Sequence, residues 1–278
     1  MIAGGRSNTD LEDRVVGQEA AGPGKDKFVD IHCHCLPNLD DGPQSLEESL
    51  ALCRALMEDN ISLVVATPHQ LGRFENHTNA NRIGGSVQRL NQELSHRRLD
   101  LTVLPGAEVR LDERICTLLA NGEVLTLADK GRHILLELPS DVFIDIEPLL
   151  RVFAGRGVTP ILAHPERNSP LLARLHTLSR WRACGACLQL TAASIVGSFG
   201  GMAEEAAHEL LARGWVEVVA TDAHDAGANR PCMAEAFARI ADEFGRDRAC
   251  LLCSENPSRV TKGQRLIRAF LHAGQEVR

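Results

Sequence analysis

The chain has 278 residues, 44% hydrophobic and 24% charged, long and apolar enough to bury a sizeable core, and this balance excludes global disorder. Thirty basic residues, only four of them lysines, face 37 acidic ones for a net charge of −7, which argues against the basic footprint of a nucleic-acid or anionic-lipid binder. No run approaches the roughly 18 apolar residues of a membrane span, the opening MIAGGRSNTDLEDRVV lacks the apolar core of a secretion signal, and nine cysteines follow no framework spacing; the expectation is a cytoplasmic protein with reduced thiols.

Residues 1–26 mix Gly, Asn, Asp and Glu without sustained periodicity and close on Gly22-Pro23-Gly24, so they are expected to be a flexible arm, with residues 27–278 a single domain. From Phe28 onward one unit recurs: a short apolar run, a polar loop, then helical spacing. The runs are FVDIH (28–32), SLVVATP (62–68), LTVLPGAE (101–108), HILLELP (133–139), VTPILAH (158–164), ACLQLTA (186–192) and VEVVATDAH (216–224), which predicts seven strands. Ser45-Leu46-Glu47-Glu48 reads as a capping box before a helix to about Asn60; Ser169-Pro170 reads as an N-cap and a proline at the first helical position; Arg213-Gly214 reads as a helix stop. Near-continuous apolar strands alternating with helices predict an α/β fold whose parallel sheet is buried on both faces, a closed or nearly closed barrel. An open doubly wound sheet is the alternative, without the G-x-G-x-x-G that would follow its first strand in a dinucleotide fold.

Six of the seven runs end in a residue able to bind metal: His32 and His34, His69, Glu108, Glu137, His164, and Asp222 with His224. In a parallel β/α barrel all strand C-termini open on one face, so these positions, far apart in sequence, would converge. A lone histidine or glutamate after a strand is ordinarily a loop residue. Here five of eleven histidines fall at strand exits, and His32 and His34 form an H-x-H pair whose period of two turns both rings to one side, leaving Cys33 in the core. Imidazoles with carboxylates and no thiolate suit Zn²⁺, Mn²⁺ or Fe²⁺, and the number of ligands exceeds one tetrahedral site.

DIHCHCLPNLDDGP (30–43), ATPH (66–69), GAE (106–108), AHPER (163–167) and TDAH (221–224) together resemble the PHP (polymerase and histidinol phosphatase) superfamily of metal-dependent phosphoesterases, over about Phe28 to Arg259. DDGP, LQLTAASIVGSFG, RPCMAEAF and ENPSRV further resemble its branch of bacterial protein-tyrosine phosphatases from capsule and exopolysaccharide operons. The resemblance implies a distorted (β/α)7 TIM-like barrel, the PHP fold, with three divalent ions, manganese first and iron or zinc as alternatives. It implies His32, His34, Glu108 and Asp222 on the first ion, Glu108, Glu137 and His164 on the second, and Asp41, His69 and His224 on the third. Asp41 is preferred to Asp40 because the family's ligand directly precedes Gly-Pro. A metal-bound hydroxide would be the nucleophile, and Arg167 and Arg230 match arginines that hold the phosphate. Asn168 and Thr191 stand where an aromatic residue and Asn are common, and DAGANRP (225–231) is a longer connection than usual.

Cys253 and Arg259 fit the C-x5-R pattern of cysteine-based phosphatases, but about one such match arises by chance with nine cysteines and 26 arginines, and a phosphate loop does not suit Pro257 and Glu255. Cys184/Cys187 and Cys250/Cys253 are too far apart for an ordinary zinc knuckle. His77, His96, His176, His208 and His272 read as solvated, Trp181 and Trp215 as packing residues. The expected function is therefore a metal-dependent phosphatase of phosphotyrosine in proteins, acting on the tail of a bacterial tyrosine kinase that regulates capsule or exopolysaccharide synthesis, without nucleic-acid binding or membrane insertion. A histidinol-phosphatase-like small-molecule phosphatase and a non-catalytic metal-stabilised binding module are the rival readings.

Overall fold

The computed structural model describes residues 27–268 apart from Asn76; the expected arm 1–26, residues 269–278 and His272 lie outside the described residues. Each predicted apolar run contains a strand: β1 (Phe28–Cys33), β2 (Ile61–Ala66), β3 (His69–Gln70), β4 (Thr102–Pro105), β5 (Glu108–Arg110), β6 (His133–Glu137), β7 (Thr159–Leu162), β8 (Cys187–Thr191) and β9 (Val218–Ala220). All ladders are parallel, in the orders β1-β2-β4 and β3-β5-β6-β7-β8-β9. The sheet curls until the last strand lies beside the first: the amide of Asp222 donates to the His32 carbonyl at 2.8 Å, and that of His34 to the Ala223 carbonyl at 2.9 Å.

Two runs expected to be continuous are broken. β2 stops before Thr67-Pro68 and resumes as β3; β4 stops before Gly106-Ala107 and resumes as β5. The breaks lie level, since Ala66 pairs with Pro105 below them and His69 with Glu108 above. Pro68 has no N–H to give the ladder. At Gly106 the chains approach so closely that a Cβ would lie 2.6 Å from Val65 Cγ1, so glycine is required for its lack of a side chain.

Residue parity explains why the strands are apolar throughout. On β6, Ile134 and Leu136 join the large cluster formed with the helices, where Trp181 and Phe153 are buried, while Leu135 turns to a smaller cluster with Ile31, Val65, Ile161 and Val218. The helix Leu46–Glu58 starts as its sequence predicts: Ser45 Oγ accepts from the Glu48 amide at 3.2 Å, and Glu48 reaches back to the Gln44 amide at 2.8 Å. The helix Gly201–Ala212 ends at Arg213 with Gly214 at φ +66°. The N-cap expected at Ser169 falls instead on Asn168, whose Oδ1 accepts from the Leu171 amide at 3.0 Å while its Nδ2 donates to the Pro139 carbonyl at 2.8 Å. The longer amide side chain can cap and tie down a neighbouring loop together, which serine cannot.

His133, at the opposite end of β6 from the strand exits, is fully buried with no hydrogen-bond partner for either ring nitrogen among the described residues. Burial, with the nearby charge of Arg132, pushes its pKa down to about 4. Below the unfolded value of about 6.5 the unfolded chain therefore takes up a proton that the folded chain refuses, so stability is lost as pH falls from about 6.5 toward 4. His133→Leu is expected to flatten this part of the stability profile by up to about 3 kcal/mol. Urea midpoints of both proteins at pH 7 and 5 check it; equal pH slopes would contradict it.

Candidate metal centre

At the C-terminal ends of the strands, β1 and the residue after it project His32 and His34 to one side, as the H-x-H spacing predicts, while Cys33 is buried in the large cluster. His32 Nδ1 donates to Gln189 Oε1 at 2.9 Å, and His34 Nδ1 to Asp40 Oδ2 at 2.6 Å. In the neutral rings Nδ1 then carries the proton, which leaves the two Nε2 atoms, 3.2 Å apart, as the metal-binding nitrogens. Glu108 Oε2 lies 3.4 and 3.5 Å from these nitrogens and Asp222 Oδ1 lies 3.2 and 3.5 Å from them. Glu108 Oε2 is buried and meets no hydrogen-bond donor in full geometry among the described residues. Four electron-rich atoms converging this closely repel one another unless protons or a cation sit among them, so these residues fit a divalent ion that displaces those protons.

The remaining candidates adjoin this point. His164 Nε2 is 2.8 Å from Glu108 Oε1; His69 Nδ1 is 3.0 Å from Glu108 Oε2 and 3.8 Å from Glu137 Oε2; His69 Nε2 and His224 Nε2 lie 3.4 and 3.5 Å from Asp41 Oδ1. The convergent groups overlap: His34, Asp41, His69 and His224; His32, His34 and Glu108; His32, His164 and Asp222; His69, Glu108 and Glu137. All nine candidate ligands are thus brought together, although Glu137 gathers with His69 and His164 with His32 and Asp222 rather than Glu137 and His164 with each other.

Electrostatics follow from the packing. Burial works against the charge of Glu108, yet His32, His164 and His34 outweigh it and hold its carboxyl well below the usual range; Asp222 is lowered likewise against its burial, by His32, His34 and His164, and Asp41 by His224 and His69. In return, against their own burial, Asp41 and Glu108 push His69 up to about 9, and Asp40, Asp222 and Glu108 raise His34 well above its ordinary value. The carboxylates stay anionic, and the protons that the imidazoles attract here are ones a bound metal ion would displace. His164 (φ 34°) and Asp222 (φ 53°) both occupy left-handed backbone, conformations that non-glycine residues adopt chiefly where tertiary structure imposes them, as at functional sites.

The adjacent acids separate by role. Asp40 is buried and spent on internal bonds, accepting from His34 Nδ1 and from the Gly42 and His69 amides at 3.1 and 3.0 Å. Asp41 is partly exposed, faces His69 and His224, and also binds Arg73. Two adjoining cavities of about 530 and 540 Å³ share Asp41, Arg167, Asp222 and His224. Arg167 donates to Asp222 Oδ2 at 2.6 Å. Arg230 is exposed and lines a smaller cavity of about 120 Å³, which shares Asp222 and Phe199 with the first; the chain just after it is fixed where Asp59 caps the helix Met233–Phe244 through the amides of Met233 and Ala234.

Comparison with known proteins decides the family. The family model for capsular polysaccharide synthesis, CpsB/CapC, matches residues 28–262. The chain belongs to the CpsB/CapC family. Tyrosine-protein phosphatase YwqE of Bacillus subtilis (strain 168) is 32% identical over 243 residues, covering 87% of this chain and 94% of its own. Tyrosine-protein phosphatase CpsB of Streptococcus pneumoniae is 28% identical over 244 residues, covering 85% and 99%. A chain from the crystal structures of YwqE from Bacillus subtilis and CpsB from Streptococcus pneumoniae, described there as unique metal-dependent tyrosine phosphatases, superposes with a TM-score of 0.83 at 31% identity, covering 87% of this chain and 97% of that one. A β-aspartyl dipeptidase from Fervidobacterium islandicum AW-1, at 12% identity and a TM-score of 0.52, shares the fold alone.

Within this CpsB/CapC chain, several site residues were missed by sequence reasoning. Asp30 is buried and accepts from the amides of His32 and Thr221 at 3.2 and 3.1 Å, joining the strand that bears His32 to the segment that bears Asp222. Gln189 orients His32. Glu166 is buried and accepts from the Thr191 amide at 3.0 Å and Ser194 Oγ at 2.7 Å, anchoring the turn Pro165–Arg167 that presents Arg167. Arg110 donates to Glu137 Oε1 at 2.8 Å. The available signal was a polar residue inside an apolar run: Asp30 in FVDIH and Gln189 in LQL.

The cysteine pattern has no phosphate loop behind it. Cys253 is fully buried, its thiol pushed far up by burial, and its segment runs helically through Leu251–Glu255 into the helix Asn256–Thr261. Helical amides are consumed by carbonyls and cannot cradle an anion. Cys253→Ala is expected to leave phosphatase kcat/KM nearly unchanged; its loss with metal content intact would overturn the metal-centred reading. None of the nine cysteines is in a disulfide, and among the described residues none joins the convergent ligand groups. His77, His96, His176 and His208 are exposed as expected, Trp181 is buried and Trp215 packs against the core. No helix among the described residues is long and apolar enough to cross a membrane.

Proposed function

We propose that this CpsB/CapC chain is a metal-dependent phosphatase hydrolysing phosphotyrosine in proteins, its substrate the tail of a bacterial tyrosine kinase that regulates capsule or exopolysaccharide synthesis. The observation that carries the reading is the convergence of His32 Nε2, His34 Nε2, Glu108 Oε2 and Asp222 Oδ1 at the strand exits of a chain that shares its fold, at 31% identity, with tyrosine phosphatases described as metal-dependent. We assign three divalent ions, manganese first: His32, His34, Glu108 and Asp222 to one; Glu108, Glu137 and His164 to a second; Asp41, His69 and His224 to a third. The overlapping ligand groups support more than one ion. Bound there, such ions would lower the pKa of water toward neutrality and offset phosphate charge.

The chain's own residues do the rest. Gln189 and Asp40 accept from Nδ1 of His32 and His34, which turns their Nε2 atoms inward as the donors available to a metal, and Arg110 fixes Glu137. Arg167 presents a planar fork at the cavity where the phosphate would sit, and Arg230 supplies a second cation from the adjoining one. A tyrosine phenolate, whose parent phenol has a pKa near 10, departs with less acid help than a serine alkoxide. An aryl group also carries its phosphate further from the peptide backbone, which suits a recessed site. The pairing of the segment after β9 with β1 supports the distorted (β/α)7 barrel, and a main hydrophobic cluster drawing on residues from Phe28 to Cys253 supports one domain over residues 27–278. We place the protein in the cytoplasm, where its thiols stay reduced. Steady-state kcat/KM for a phosphotyrosyl peptide, the matched phosphoseryl peptide and histidinol phosphate tests the assignment. The phosphotyrosyl peptide is expected to be preferred; preference for histidinol phosphate would sink the reading.

A further inference from the structure

Phe199 is 39% exposed and belongs to neither hydrophobic cluster, so the fold gains little from it. It sits on the short connection between the helices Ala192–Ile195 and Gly201–Ala212, held by the Ser198 amide donating to the Ala193 carbonyl at 2.9 Å and by two left-handed glycines, Gly197 (φ +82°) and Gly200 (φ +88°). The ring is therefore carried on a defined turn. The Arg167 guanidinium lies 4.5 Å from the ring centroid. Phe199 lines the cavity of about 530 Å³ together with Asp222, His224 and Arg167, and with the apolar Pro43 and Ala226. A polar floor and an apolar wall meet in one cavity of ligand size.

We propose that Phe199 is a specificity-determining residue, the wall against which the aryl ring of an aryl phosphate monoester packs while Arg167 holds its phosphate. The inference rests on the phosphatase reading above and deepens it by naming what selects the aryl group. An aromatic pair is worth enough to shift affinity by about 2- to 10-fold, and a ring already braced by a cation needs little reorganisation to accept it.

The test uses full-length, metal-loaded protein and two non-hydrolysable probes, phenylphosphonate and methylphosphonate, with binding followed by calorimetry. Wild type is expected to favour phenylphosphonate. Phe199→Ala should weaken phenylphosphonate by about 2- to 10-fold and leave methylphosphonate unchanged, and Phe199→Trp should restore the preference. Equal weakening of both probes would show that Phe199 acts only by bracing Arg167 and would overturn the proposal, as would no change in either. If the preference depends on Phe199 but wild type hydrolyses histidinol phosphate better than phosphotyrosyl peptide, the aryl wall stands and the phosphotyrosine reading fails.

Discussion

Replacing Glu108 by alanine is expected to lower kcat/KM for a phosphotyrosyl peptide by at least about 10³-fold and to lower bound metal by more than one ion per chain. This carboxylate touches more of the centre than any other candidate carboxylate: Oε1 lies 2.8 Å from His164, and Oε2 lies 3.0, 3.4 and 3.5 Å from His69, His32 and His34. On the proposed assignment its removal would delete an anion shared by two ions, so the loss should exceed that at a candidate ligand nearer the edge, such as Asp41. Glu108→Gln keeps the shape and removes the charge, and should be nearly as damaging. Metal analysis with steady-state kinetics checks both; an active alanine variant with unchanged metal content would contradict the assignment.

Arg167→Ala is expected to lower kcat/KM by about 10²- to 10³-fold with metal content unchanged. Its guanidinium meets the centre at Asp222 Oδ2, and the turn that carries it is held independently by Glu166, so deletion should remove a phosphate partner without unfolding the site. Arg167→Lys should recover only part of the loss, because an ammonium cannot reproduce the planar fork. An alanine variant as active as wild type would show that the phosphate is held elsewhere.

Strand exits were the legible part of this sequence. A β/α repeat puts every strand C-terminus on one face, so a histidine or acid after an apolar run is placed by topology alone; His32, His34, His69, Glu108, Glu137, His164, Asp222 and His224 all arrive where that rule sends them. The breaks at Thr67-Pro68 and Gly106-Ala107 were not legible, because they arise from two strands meeting closely and neither run signals its neighbour. Residues that orient ligands were harder still. Asp40 and Asp41 are chemically identical neighbours, and only the fold shows that one is buried against His34 while the other faces His69 and His224. Arg230 matches the family's second phosphate-binding arginine by sequence, yet its exposure and separate cavity depend on a loop held by Asp225 and Asn229. The cap at Asn168 displaced the one expected at Ser169 because its amide reaches both a helix amide and a loop carbonyl.

The most direct measurement is turnover of a phosphotyrosyl peptide by the purified protein before chelation, after thorough removal of metal, and after addition of Mn²⁺ to the stripped sample. Convergence of imidazole and carboxylate atoms on one point predicts that activity vanishes with the metal and returns with Mn²⁺. Full turnover by protein shown to contain no metal would contradict it.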